Sequence, residues 1–413
     1  MPRDRSHDLV LFGATGFVGR LTAAHLASAA PPGTRIALGG RSLDRLTALR
    51  ASLPPVAADW PLVVADTSDP ASVRALAAST TAVATTVGPY ARYGLPLVEA
   101  CAAAGTHYAD LTGEVPFVRR SADLAHELAR STGARIVHAC GFDSVPSDLS
   151  ALLTAEAARA DGGTLTATTL VLVRASGGVS GGTVDSVRGV VDEGTRDAAT
   201  RRLLLDPYGL SPDRAAEPEL GRQSDSPVLG RVDGRWTGLF VMASFNTRIV
   251  RRSNALQDWA YGRAFRYSEV MAFGRSPLGP VLAVGTAAGL AGVGLGLALP
   301  PTRALLDRVL DRVLPAAGDG PSEATRDRGH FCTETTATST TGRRYRTTFA
   351  MQGDPGYAAT AVMLGQSGLS LALDDPPDER AGSGGVLTPA TALGTRLVDR
   401  LRAQGAELAT VAL

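Results

Sequence analysis

An apolar run, Leu9 to Phe12, meets three glycines at three-residue spacing and then a helical pattern. This order of strand, tight turn and helix constrains the chain more than any other stretch. Gly13 and Gly16 carry no Cβ to block a sharp turn or the close approach of backbone to a pyrophosphate, and Gly19 lets the helix lie near its strand. The N–H groups at the helix start then face the phosphate charge. Gly13, Ala14, Thr15, Gly16, Phe17, Val18 and Gly19 are therefore the expected phosphate turn of a nucleotide site.

Strand and helix patterns alternate to about residue 145. Strands are expected over 8–12, 35–38, 61–65, 81–87, 106–110 and 135–139. Helices are expected over 17–29, 43–52, 70–78, 95–104 and 116–131. This spacing implies right-handed crossovers and a doubly wound parallel sheet. After Asp148 the texture changes. A β-branched strand (164–174) is followed by Gly177, Gly178, Gly181 and Gly182, then a helix over 183–191. Residues 206–234 read as a long surface loop, 331–350 as a hairpin turned at Thr341-Gly342, and 357–369 and 390–405 as helices. Residues 374–385 read as a polar linker.

The 413-residue chain carries a net charge of +1, so no broad field favours nucleic acid. It contains no lysine, which excludes a lysine Schiff base and a Tyr-x-x-x-Lys catalytic pair. Cys101, Cys140 and Cys332 lie far apart, as expected of a reducing cytoplasm, and the six histidines show no metal-ligand spacing. The first residues, MPRDRSHD, lack the apolar core of a signal peptide.

Residues 281–299 carry no charge, hold five glycines and contain two G-x-x-x-G pairs, Gly285/Gly289 and Gly292/Gly296. Pro300 and Pro301 stop the run, and 302–314 reads as an amphipathic helix. Three arrangements fit: a hairpin at or partly in a membrane interface, a buried core or subunit-interface hairpin, or a single span.

The second strand ends in Gly39-Gly40-Arg41-Ser42, where an NAD site usually places a carboxylate for the ribose 2′-OH. A guanidinium and a hydroxyl suit a 2′-phosphate instead, so NADP is expected, with Arg41 as a solvated loop residue the plain alternative. Asp66 lies where adenine is expected, although it or Asp69 could cap the next helix. Thr86, Val87, Gly88 and Pro89, after the fourth strand, are expected to pass the nicotinamide ribose and ring. Tyr90 and Tyr93 follow as phenols near the hydride path or as packing aromatics. Polar loops at 107–114 and 141–148 share the same sheet edge. There Asp143 or Ser144 could orient substrate or water, or Asp143 and Ser147 could cap a helix.

Together GATGFVG, GGRS, TTVGPYARYG, HYADLTGE and ACGFDSVPSD resemble the saccharopine dehydrogenase-like oxidoreductases, and within them the trans-acting enoyl reductases of actinobacterial lipid biosynthesis. GGVLTPATALGTRLVDRL resembles that family's closing segment. The resemblance is specific over 8–150 and 384–405 and thinner between. It implies an N-terminal Rossmann-like domain (1–148, with about 384–413 returning) and an inserted α+β substrate and dimerisation domain (149–383) that holds the apolar hairpin at 281–314. It also implies NADP on Gly13, Gly16, Gly19, Arg41 and Gly88, and a glycine-rich segment near membranes. The family carries no catalytic acid onto this chain. The expected activity is NADPH-dependent enoyl reduction of a lipidic or polyketide acyl thioester, free or carrier-bound, with Tyr90, Tyr93 and Asp143 as catalytic candidates. A homodimer in the cytoplasm, peripheral on the inner face of the plasma membrane, completes the expectation. Two rivals remain open: imine or amino-acid reduction, with Arg188, Arg248, Arg251 and Arg252 as carboxylate clamps, and a non-catalytic NADP-binding scaffold or sensor.

Overall fold

A computed structural model of the protein describes residues 5–176, 189–190, 192–221, 223–298, 302, 320, 322–377 and 384–413. The chain divides into two compact units. The first takes Met1–Val145, Gly318–Gly320 and Gly356–Gly405; the second takes Pro146–Ala317, Pro321–Pro355 and Ala406–Leu413.

The chain opens with β1 (His7–Phe12), β2 (Ile36–Gly40), β3 (Leu62–Val64), β4 (Thr80–Thr85), β5 (His107–Ala109) and β6 (Arg135–Val137). The main helices between them are Phe17–Ala29, Leu43–Ser52, Pro70–Ser79, Leu95–Ala104 and Val115–Thr132. Leu9, Val10 and Leu11 are fully buried, as an apolar run must be when helices cover both faces of a parallel sheet. Helix boundaries follow local chemistry. Ser42 and Asp69 each accept a first-turn N–H, while Gly105 (φ 65°) and Gly133 (φ 79°) close helices in the left-handed region.

The second unit is built on β7 (Leu165–Ser176), β8 (Leu229–Val232), β9 (Arg235–Leu239), β10 (Arg266–Ala272), β11 (His330–Ser339) and β12 (Arg344–Gln352). The chain then returns to add β13 (Gly385–Leu387) beside β6, and ends in β14 (Glu407–Ala412) beside β12. The first sheet is parallel with order β3-β2-β1-β4-β5-β6-β13, reversing direction at β1/β4. The second has order β14-β12-β11-β7-β10-β9-β8. Only β7 and β10 pair in parallel there. The architecture is thus a Rossmann-like α/β unit interrupted by an α+β unit.

The structure differs from the sequence reading in four places. The return to the first unit starts at Gly356, not 384, and leaves it after Gly405. The helix Ala358–Leu373 carries no charged side chain and is enclosed over most of its length. A Cβ on Gly368 would lie 3.1 Å from Leu9 and 3.2 Å from Ala84, and one on Gly365 would lie 2.8 Å from His25. The expected loop 206–234 contains β8, which turns into β9 at Asp233-Gly234, with φ of 46° and 78°. That Asp-Gly pair is the sequence signal for a two-residue hairpin turn. The expected helix over 390–405 is two, Pro389–Ala392 and Gly394–Ala403, parted where Gly394 takes φ 50°. The glycines at 177–182, most of the helix over 183–191, Arg188, Pro300, Pro301 and all but Thr302 of the amphipathic helix lie outside the described residues.

Candidate functional site

At the end of β1, Gly13 (φ 84°) starts the turn, and the Gly13 and Ala14 N–H groups donate to the Gly39 carbonyl of β2 at 2.9 and 3.1 Å. The three glycines are not equivalent. A Cβ on Gly13 would lie 2.7 Å from Thr86 Oγ1, and one on Gly19 would lie 2.3 Å from the Gly13 carbonyl. A Cβ on Gly16 would meet only that carbonyl, at 3.3 Å, and Gly16 is exposed. Internal packing therefore dictates glycine at 13 and 19, while position 16 keeps the outer side of the turn open. The helix Phe17–Ala29 begins with no side-chain cap and no acidic residue in its first turn, which leaves its positive end available to an anion. Ala14 is buried, Thr15 and Val18 are half-buried, and the Phe17 ring packs edge-on to Tyr357 at 4.9 Å.

Arg41 is exposed directly after β2. Ser42 accepts the Arg45 N–H at 3.4 Å, so its oxygen caps a helix and its proton alone is left to donate. Asp66 does not cap a helix. Its Oδ1 accepts from the Ser68 N–H and hydroxyl at 2.9 and 2.8 Å. Those bonds, with Arg41 nearby, hold its carboxyl below the usual range. Asp69 is the cap, taking the Ala71 N–H at 3.0 Å. The cluster after β2 and β3 thus offers a cation and no carboxylate next to the second strand, which suits a phosphorylated ribose.

The loop after β4 is bound to the glycine turn. Thr86 donates its N–H to Phe12 and its hydroxyl to Gly13, both at 3.0 Å. Val87 is half-buried beside Gly13, whereas Gly88 and Pro89 are exposed. This brings Thr86, Val87, Gly88 and Pro89 to the glycine turn at the sheet's switch point, where α/β folds bind ligands.

Tyr90 is corrected by its geometry. It is buried, and its hydroxyl donates to the Thr85 carbonyl at 3.1 Å while accepting the Leu111 N–H at 3.2 Å. Burial and the Asp110 charge push its pKa well above the phenol value. The residue braces the β4 and β5 loops and has no hydroxyl to spare for a substrate. Tyr93 is half-buried with the Arg92 guanidinium 5.0 Å from its ring centre.

Asp110, at the end of β5, is the hub that sequence reading missed. Its Oδ2 accepts from Tyr108 at 2.9 Å and lies 2.7 Å from His138 Nδ1, and its Oδ1 accepts the Thr112 and Ala139 N–H groups at 3.1 and 3.0 Å. His138 Nε2 in turn lies 2.8 Å from Ser121 Oγ. These side chains are all buried, so the Ser-His-Asp order is an internal brace that holds the β5 and β6 loops together. Asp143 stands at its rim, half-buried, with Oδ1 3.9 Å from where a Cβ of Gly113 would lie. Burial, reinforced by the Asp110 carboxylate, raises its pKa to about 7.

In the second unit three of the four expected clamps are already engaged, the fourth, Arg188, lying outside the described residues. Arg248 and Arg251 pair with Asp225 at 3.0 and 2.7 Å, and Arg252 is buried and donates to the Leu210 carbonyl at 2.6 Å. Ser147, weighed as a cap, hydrogen-bonds instead to Glu269, which also accepts from Asn246 and Tyr267 at 2.9 Å. Burial lifts the Glu269 pKa to about 7. Among the described residues no group of His, Cys, Asp or Glu is arranged to hold a metal ion.

A switch-point glycine turn, an uncapped helix start and a cation after β2 define a dinucleotide-binding protein of the Rossmann class. Comparison with known proteins makes this specific. Residues 9–137 match the saccharopine dehydrogenase NADP binding domain. A Mycobacterium tuberculosis protein provisionally named a trans-acting enoyl reductase is 54% identical over 416 residues, covering 99% of this chain and 98% of that protein. A trans-acting enoyl reductase of the same species is 52% identical over 420 residues, covering 100% and 99%. Apo saccharopine dehydrogenase (L-Glu forming) from Saccharomyces cerevisiae shares the fold, with a TM-score of 0.58 at 13% identity over 98% of this chain and 99% of its own. The chain belongs to the trans-acting enoyl reductase family of saccharopine dehydrogenase-like proteins, and it is an NADP-dependent oxidoreductase.

Proposed function

We propose that the protein reduces the carbon–carbon double bond of an α,β-unsaturated acyl thioester on a lipidic chain, free or carrier-bound. NADPH supplies the hydride for the β-carbon. The glycine turn with Thr15, Phe17 and Val18 holds the pyrophosphate against the helix start, and Arg41 with the Ser42 proton pairs with the 2′-phosphate. Asp66 and the Thr86–Pro89 loop border the adenine and nicotinamide halves. Asp143 holds the proton that the α-carbon must gain, since a carboxyl with a pKa of about 7 is substantially protonated at neutral pH. Tyr93 lines the same edge.

The observation that carries this reading is the engagement of Arg248, Arg251 and Arg252 within the protein. An amino-dicarboxylate substrate would need free guanidinium groups, while an acyl thioester needs none. The names of the relatives support the same choice. The test is NADPH oxidation, followed at the nicotinamide absorbance, against long-chain enoyl thioesters on coenzyme A and on a carrier protein, with cyclic imines alongside. Oxidation with the thioesters is expected. Asp143→Asn should slow it about 10²-fold with little change in NADPH affinity, and Tyr90→Phe should leave turnover near wild type. Turnover of imines alone would overturn the reading, and tight NADPH binding with no turnover would favour a binding module.

A further inference from the structure

The helix Gly279–Ala298 runs 20 residues with no charged side chain and Thr286 as its one polar group. Its foot is built into the second unit. A Cβ on Gly279 would lie 2.5 Å from the Trp236 ring, and one on Gly238 of β9 would lie 2.9 Å from the Ala283 Cβ. Ala283 and Ala287 are buried. Most of the other side chains from Val281 to Leu295 face outward: Val281 is 68% exposed, Leu282 56% and Leu295 64%, and Val284, Leu290 and Val293 are exposed as well. A Cβ placed on Gly285, Gly289, Gly292 or Gly294 would meet nothing within 4 Å. Only 17% of Gly279–Gly296 is buried, which sets this helix apart from the enclosed core helix of a soluble protein. A helix of this length spans about 30 Å. It lacks the polar face that would let it lie flat in an interface.

The foot carries the opposite chemistry. The Arg231 guanidinium lies 5.1 Å from the Trp236 ring centre, and Arg275 reaches the Asp233 carbonyl at 3.4 Å. Both are exposed, and neither pairs with a carboxylate among the described residues. The Asp233 carboxylate beside them is already met by Arg344 and Arg346 at 3.3 and 2.9 Å. An uncharged helix rising from an arginine-bearing foot matches one kind of surface, an apolar layer under an anionic one.

We propose that Gly279–Ala298 is a finger that enters the acyl layer of an anionic membrane, with Arg231 and Arg275 on the headgroup phosphates. The proposal stands apart from the reductase reading, and its test does not use activity. The full chain is floated with vesicles of phosphatidylcholine alone and of phosphatidylcholine mixed with phosphatidylglycerol. Wild type is expected to float with the mixed vesicles and to bind the neutral ones about tenfold less, with the preference shrinking as salt rises. Leu290→Glu/Val293→Glu/Leu295→Glu alters only exposed positions and should abolish flotation while NADPH binding persists. Arg231→Glu/Arg275→Glu should remove the preference for phosphatidylglycerol. The proposal is overturned if wild type stays in the soluble fraction with both vesicles, or if the triple variant floats as well as wild type. It is overturned equally if the triple variant loses a dimer by light scattering and wild type shows no lipid binding, which would make the finger a contact between copies.

Discussion

Two glycine-rich stretches of this chain look alike on paper and behave oppositely in space. In the turn after β1, added carbons on Gly13 and Gly19 would strike a hydroxyl at 2.7 Å and a carbonyl at 2.3 Å. In the helix Gly279–Ala298, carbons on Gly285, Gly289, Gly292 and Gly294 would meet no atom of the protein within 4 Å. The first set is fixed by the fold itself. The second answers to nothing inside the described protein, and each of its glycines costs about 1 kcal/mol of helix stability relative to alanine. Two carboxylates differ as well: half-buried Asp66, hydrogen-bonded by Ser68 with Arg41 nearby, is held below its usual pKa, while enclosed Glu269 is driven up to about 7.

The sharpest way to break the comparison is Gly19→Ala. The new methyl must push strand and helix apart against backbone, so a loss of about 3 kcal/mol in urea unfolding and of measurable NADPH binding is expected. Unchanged stability would show that the turn has slack. Arg41→Ala comes next: NADPH affinity should fall by about 1.5–3 kcal/mol while NADH affinity stays the same, read by nicotinamide fluorescence. Equal losses for both cofactors would remove Arg41 from the 2′-phosphate.

Glu269→Gln tests the enclosed carboxylate. Its folded pKa of about 7 stands above the unfolded value, so its contribution is complete below about 4.5 and lost as pH rises through 7. His25 and His107, lowered by burial to about 4 and 3, act in the opposite direction at acid pH. The useful quantity is therefore the difference between variant and wild type. Between pH 5 and 8 the variant should gain on wild type by about 2 kcal/mol, and a flat difference would show that Glu269 ionises freely. The smallest effect belongs to Gly289→Ala and Gly292→Ala, which should hold or raise Tm, each adding no more than about 1 kcal/mol of stability. A lowered Tm would mean that the helix packs against protein after all.

Most of the first sheet was legible because parallel strands covered on both faces leave unbroken apolar runs, and Phe17–Ala29, Leu43–Ser52 and Leu95–Ala104 match the helical pattern to the residue. The turn, Arg41 and the loop after β4 were legible for the same reason, since each follows directly on a strand. Tyr90 was not. Its partners, Thr85 and Leu111, belong to two different strand ends, and one sequence gives no sign that a phenol is used on both sides. Asp110 was overlooked because its role rests on Tyr108, Thr112, His138 and Ala139, which meet only when β5 and β6 lie side by side. The helix Ala358–Leu373 was seen as a helix but placed in the wrong unit, because a mostly apolar, uncharged helix says buried without saying where.

The late arrival of that helix shapes how the protein must be made. Its Gly365 and Gly368 press on His25, Leu9 and Ala84, and β13 extends the first sheet further still. On the ribosome the first six strands therefore emerge with one apolar flank uncovered, and more than two hundred residues of the other unit are translated before the cover exists. The nucleotide-binding half cannot reach its final form during synthesis of its own strands, and through that interval the exposed flank of β1 and β4 is the place where a chaperone would be needed.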